Sequence, residues 1–171
     1  MAKNKPVVMV GLMGSGKTSA GRLVSQALDL PLSDSDPFLL DRYGATAAQI
    51  VARDGADVLH RREAEHVLSE LGGEPKVITA AASTVENPRV RAELRSKAFV
   101  VWLDAPDAVL AERMRSGDHR PEFAPSVMRA RREPYFREVA DLTCDVSRMT
   151  PEEVAEEVLR KMGSSAGGDG S

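Results

Sequence analysis

Apolar positions along this chain keep two alternating rhythms. Unbroken apolar runs occur at Val7-Val8-Met9-Val10 and at Ala98-Phe99-Val100-Val101-Trp102-Leu103. Between such runs, apolar residues are spaced three and four apart, as in Ala20, Leu23, Val24, Ala27 and Leu28. A continuous run bounded by turn residues suits a strand covered on both faces, and the longer period suits a helix with one buried face. The pattern predicts strands at Val7–Val10, Leu30–Ser33, Lys76–Thr79, Ala98–Leu103 and Asp141–Val146. It predicts helices over Ser19–Asp29, Pro37–Tyr43, Ala45–Asp54, Ala56–Leu71, Pro88–Arg95, Asp107–Arg115, Pro125–Ala140 and Pro151–Met162. Strands and helices taking turns imply an α/β domain with a mainly parallel sheet.

Length and composition narrow this picture. The 171 residues suit one domain, expected over 1–162, followed by a Gly/Ser-rich tail over 163–171 that is expected to be disordered. The polar stretch 116–123, with Gly117 and Pro121, reads as a lid, and 34–72 as an acceptor-binding region. A net charge of −3 and no extended basic stripe argue against nucleic acid as a partner. The single cysteine, Cys144, excludes an internal disulfide and fits a reducing compartment. No apolar run approaches membrane-spanning length, and residues 1–6 lack an apolar leader, so a cytoplasmic location without membrane contact is expected. A monomer is expected.

The chemistry starts directly after the first strand. Gly11-Leu12-Met13-Gly14-Ser15-Gly16-Lys17-Thr18 fits G-x-x-x-x-G-K-[ST], and Ser19 opens the helix behind it. Strand, glycine-rich turn and helix form the setting in which backbone N–H groups cradle phosphates at a helix N-terminus. In such a loop Lys17 reaches the outer phosphates and the Thr18 hydroxyl ligates Mg²⁺. ATP with Mg²⁺ is therefore expected, the nucleotide held by Gly11, Met13, Gly14, Ser15, Gly16, Lys17, Thr18 and Ser19.

Further along, Asp34-Ser35-Asp36 closes the second strand. Two carboxylates at one strand end can divide the work, Asp34 serving the metal and Asp36 taking the proton of an acceptor hydroxyl, although a helix N-cap would use the same residues. Arg120 on the lid could neutralise charge on the transferring phosphoryl group. Arg132 carries a planar fork suited to a carboxylate or phosphate of the acceptor.

These residues resemble the shikimate kinase family of small P-loop kinases. The P-loop followed by Gly21-Arg22, the Asp34/Asp36 pair, Arg120-Pro121, and Arg132 with Pro134 and Glu138-Val139-Ala140 carry the resemblance. It implies a three-layer fold with a five-stranded parallel sheet of order 2-3-1-4-5, and ATP-dependent transfer to a small hydroxyl acceptor, shikimate first among them. It further implies catalytic roles for Lys17, Asp36 and Arg120, and an adenine site between Arg113 and Pro151. Arg132 would bind the shikimate carboxylate.

The chain departs from the family pattern at the acceptor end. His60 stands where the family motif starting at Gly55 has a second arginine, with Glu63 as its last residue. Arg61 and Arg62 follow that position but are turned away by about 100° and 200° on a helix, and a shifted register, Arg62-x-x-Glu65, loses Gly55. Ala80-Ala81-Ala82 stand where the family has three glycines, so Ala81 and Ala82 would bring methyl groups to the acceptor. Alanine also resists positive φ. The phosphate end is thus complete and the acceptor end half retained. Alternatives to shikimate are another polyol, cyclitol or sugar acid, a nucleoside or nucleotide, or nucleotide binding without turnover.

Overall fold

A computed structural model describes residues 5–114 and 125–169. Its centre is a five-stranded parallel sheet of order β2-β3-β1-β4-β5. The strands are β1 (Val7–Val10), β2 (Leu32–Asp34), β3 (Val77–Thr79), β4 (Phe99–Asp104) and β5 (Leu142–Asp145). β1 is apolar throughout and fully buried because it pairs on both sides, Val8 with Ile78 of β3 and with Val100 of β4. The expected sheet order and α/β class are those observed.

Every crossover between parallel strands needs a returning connection, and helices supply it. They are α1 (Lys17–Leu28), α2 (Ser35–Tyr43), α3 (Ala47–Asp54), α4 (Ala56–Leu71), α5 (Pro88–Lys97), α6 (Asp107–Met114), α7 (Pro125–Val139) and α8 (Pro151–Asp169). α1 packs on α8 and β3, while α4, α5 and α7 form another packed group around a 3₁₀ turn at Ala82–Glu86. The main core joins the sheet to these helices, with Trp102 stacked on Phe136 at 5.6 Å between ring centres. A small separate core of Leu39, Ala45, Ile50 and Leu59 holds α2 and α3 against the start of α4. Thr46 and Gln49 close a reciprocal capping box that starts α3.

Most boundaries shift by one or two residues from the sequence pattern, and larger differences lie elsewhere. α2 starts at Ser35 rather than Pro37, which puts Asp36 inside its first turn. The 3₁₀ turn was not foreseen, because five residues carry too little periodicity to read. α8 continues to Asp169, seven residues into the stretch expected to be disordered. Extending a formed helix fixes one residue per hydrogen bond gained, so small residues can follow an established helix. The lid at 116–123, with Arg120, lies outside the described residues apart from its flanks at Met114 and Pro125.

Gly21 lets α1 lie close to β3. A Cβ there would sit 2.4 Å from the Thr79 methyl, itself on a buried strand residue. Gly21→Ala should therefore destabilise the fold by about 1–3 kcal/mol. A thermal melt should show the midpoint lowered by several degrees; an unchanged midpoint would mean that β3 yields without cost.

Candidate functional site

Where β1 ends, the chain turns through Gly11–Gly16 into α1. Gly14 and Gly16 adopt left-handed backbone, φ 85° and 86°, and Gly16 is the N-cap of α1. Gly11 is pressed against β4: a Cβ would lie 2.5 Å from the Leu103 carbonyl oxygen. Lys17 Nζ folds back over the loop and donates to the carbonyls of Gly11 at 2.9 Å and Leu12 at 3.2 Å. Burial lowers its pKa to about 8, although Glu63, Asp34 and Asp36 oppose the shift. Arg113 donates to the Gly14 carbonyl at 3.1 Å and to that of Val146 at 3.2 Å, tying the loop to the segment after β5. Pro151 opens α8 at the end of that segment and does not line the cleft described next.

A cleft of about 950 Å³ spreads from this loop. Met13, Gly14, Gly16, Lys17, Thr18 and Ser19 line one end, and His60, Glu63, Ala80–Ser83 and Arg132 line the other. Asp34, Ser35, Asp36 and Thr79 also line it. Gly11 and Ser15 shape the loop from behind; Ser15 is buried.

Thr18 Oγ1 donates to Asp34 Oδ2 at 3.1 Å. Asp34 is in register with Thr79 on the neighbouring strand. The hydroxyl oxygens of Thr79 and Ser35 are buried without a hydrogen-bond partner among the described residues. The Thr18 hydroxyl and the Asp34 carboxylate are hard oxygen donors that both line the cleft, the chemistry that suits Mg²⁺ or its bound waters. The residues therefore fit the expected metal. Asp36 has its pKa raised by burial and by Asp34, with Lys17 opposing, so it is a better proton acceptor than a free aspartate.

At the other end, His60 and Glu63 lie one turn apart on α4 and line the same cleft. Ser83 Oγ donates to Glu63 Oε1 at 2.8 Å. Burial pushes Glu63 up to a pKa of about 7 against the pull of Ser83 and Arg132. Arg132 is 3% exposed. The His60 pKa is lowered by burial and then by Arg132, so the imidazole is uncharged at neutral pH. His60 thus brings no second positive charge. Arg62 instead pairs with Asp54 at 3.8 Å and lies 4.4 Å over the Tyr43 ring, and Arg61 is exposed, which removes both as substitutes. The backbone at Ala81 is extended, φ −62°, and Asp29 is the one non-glycine at positive φ among the described residues. The alanine segment therefore follows ordinary L-residue geometry.

Sequence reasoning missed Ser35, Thr79 and Ser83, and noted Glu63 only as the end of a motif. Thr79 had a faint signal, a hydroxyl closing an otherwise apolar strand.

The family model described as shikimate kinase matches residues 13–163. A shikimate kinase of Symbiobacterium thermophilum is 34% identical over 165 residues, covering 91% of this chain and 95% of its own. The crystal structure of shikimate kinase from Aquifex aeolicus has a TM-score of 0.79 at 26% identity, covering 94% of this chain and 98% of its own. Shikimate kinase from Acinetobacter baumannii, in complex with shikimate, shares the fold at TM-score 0.87 and 24% identity, covering 95% of this chain and 94% of its own. With its P-loop, its sheet order and these relatives, the chain belongs to the shikimate kinase family and is an ATP-dependent small-molecule kinase.

Proposed function

We propose that the protein transfers the γ-phosphoryl group of ATP to a hydroxyl of shikimate, giving ADP and shikimate 3-phosphate. The observation that carries this reading is that Lys17, Asp36 and Arg132 line one cleft. A cation, a carboxylate and a buried guanidinium in one cleft suit an acceptor held by its carboxylate with its hydroxyl directed toward the nucleotide.

In this reading the P-loop N–H groups and the α1 N-terminus hold the phosphates. Lys17 leaves the Gly11 and Leu12 carbonyls and turns to the phosphate oxygens. Thr18 and Asp34, with Thr79 nearby, would hold Mg²⁺, which supplies charge neutralisation to the phosphates when bound. Arg113 flanks the adenine beside the segment leading to Pro151. Arg132 grips the acceptor carboxylate, while His60, Ala81, Ala82 and Glu63 line the rest of the acceptor end. Asp36 orients the hydroxyl and accepts its proton. The hydroxyl oxygen bonds to the γ-phosphorus as the bond to the β–γ bridging oxygen breaks, and ADP leaves with that electron pair. Arg120 would close over the transferring group from the lid. Most of the rate enhancement comes from positioning and electrostatics.

The direct test is ADP release by the purified protein with MgATP, with and without millimolar shikimate. Release should depend on shikimate. Asp36→Asn should reduce kcat by about 10²–10⁴-fold and leave ATP affinity nearly unchanged. Full activity in Asp36→Asn would remove the base assignment. ATP binding without shikimate-dependent release would move the acceptor to another polyol, cyclitol or sugar acid.

The lowered pKa of Lys17 gives a second test. Phosphate oxygens favour its charged form, so its pKa is higher in the ATP complex than in the free protein. Below about pH 8 the lysine holds its proton in both states and affinity is flat. Above that, binding must take up a proton, and ATP affinity should fall toward about tenfold per pH unit. Calorimetry near pH 9 in two buffers of different ionisation enthalpy should register close to one proton taken up. No uptake would mean that Lys17 is already fully charged in the free protein.

A further inference from the structure

We propose that Glu86 is a positioning residue for the acceptor: it holds Arg132 by Nε, so that the terminal amino groups are presented to the cleft to grip a carboxylate end-on. This rests on the reading of Arg132 as the group that binds the acceptor carboxylate.

Arg131 and Arg132 are consecutive on α7 and so point about 100° apart. The Arg131 side chain is 61% exposed and that of Arg132 only 4%. Glu86 nevertheless reaches both, Oε1 accepting from Arg131 Nε at 2.6 Å and Oε2 from Arg132 Nε at 2.7 Å. Burial would raise the Glu86 pKa, but the hydrogen bond and charge of Arg132, aided by Arg131, hold it below the ordinary glutamate value. The clamp is therefore ionised throughout the neutral range.

Glu86 itself stands on stiff backbone. It closes the 3₁₀ turn that carries Ala82 and Ser83 into the cleft wall. Thr84 fastens the turn from within, its backbone N–H and its hydroxyl both donating to the Ala81 carbonyl at 3.1 and 2.8 Å. Beyond it, Asn87 caps α5 by accepting from the N–H groups of Arg89 and Val90. Arg91 donates to the Val85 carbonyl at 2.8 Å.

A guanidinium binds a carboxylate bidentately either through Nε and one Nη or through both Nη groups. With Nε held by Glu86, the second mode remains, and it fixes the direction from which a carboxylate arrives. Direction matters more in this chain than it would with two arginines. His60 is uncharged, so among the described residues of the acceptor end Arg132 is the cation that lines the cleft, and Glu86 offsets part of its charge. Affinity for an anionic acceptor then depends on how Arg132 is aimed.

The test compares Glu86→Ala, Glu86→Gln, Arg132→Ala and the Glu86→Ala/Arg132→Ala double variant with shikimate and ATP. Glu86→Ala should raise the shikimate KM about tenfold, with kcat within about twofold and the ATP KM unchanged. Glu86→Gln keeps one oxygen acceptor and loses the second and the charge, so its KM should rise a few-fold. In the Arg132→Ala background, removing Glu86 should change nothing further. An unchanged shikimate KM in Glu86→Ala, with a raised one in Arg132→Ala, overturns the positioning role while leaving the acceptor reading intact. A rise in KM for Glu86→Ala that persists in the Arg132→Ala background also overturns it, since the effect would not act through Arg132. If Arg132→Ala leaves the shikimate KM unchanged, the acceptor reading fails and the positioning role falls with it. Should Glu86→Ala not fold, Glu86→Gln decides, and an unchanged KM there overturns the proposal.

Discussion

The site depends on β1 being paired in parallel on both sides. Met9 of β1 faces Thr79 of β3, and Asp34 of β2 faces that same Thr79. The carboxyl ends of three strands therefore meet at one edge, and the segment after each lines the cleft: Met13 and Gly14 after β1, Ser35 after β2, Ala80 after β3. At this edge the sheet order reverses, with β3 on one side of β1 and β4 on the other, and open α/β sheets bind ligands at such a point. Because side chains alternate along a strand, slipping one strand by a residue would turn Asp34 or Thr79 away from the P-loop. Gly11 on Leu103 and Gly21 on Thr79 show how closely the neighbours approach to keep that register.

Burial then sets the charges. It pushes Lys17 down and Asp36 and Glu63 up, so the resting cleft softens its own charge rather than exposing it. Lys17 spends that state bonded to two loop carbonyls, and in the proposed reading ligand binding has to drive its relocation to phosphate. The acceptor end is organised differently. Glu63 accepts from the Ser83 hydroxyl, and Arg132 is fixed by Glu86, so both groups are held by another residue before any ligand arrives.

Much of this was legible in the chain itself. Buried strands announce themselves as apolar runs, and a P-loop needs its glycines at fixed places, so β1, β4 and the glycine-rich turn between β1 and α1 could be read directly. Asp34 and Asp36 were conspicuous because two carboxylates straddle a strand end, Asp34 closing β2 and Asp36 in the first turn of α2. Ser35, Thr79 and Ser83 were not, since a hydroxyl becomes informative only when burial leaves it unpartnered or pairs it with a distant carboxylate. Glu86 was invisible for the same reason: its partners lie 45 and 46 residues away, brought close by α7 packing on the 3₁₀ turn. The helical run beyond Met162 escaped notice because Gly and Ser carry almost no helix signal of their own.

At the centre of this account is a proposed asymmetry: an intact P-loop at the nucleotide side, and an acceptor side where, among the described residues, Arg132 is the cation that lines the cleft. The most direct measurement is the shikimate KM of His60→Arg beside that of the unaltered protein. The substitution restores a charged fork on the face of α4 that lines the cleft. The account predicts a KM lower by about tenfold, with the ATP KM unchanged. A KM that stays the same or rises would contradict it, and would mean that the uncharged imidazole already suits the acceptor this cleft is built to hold.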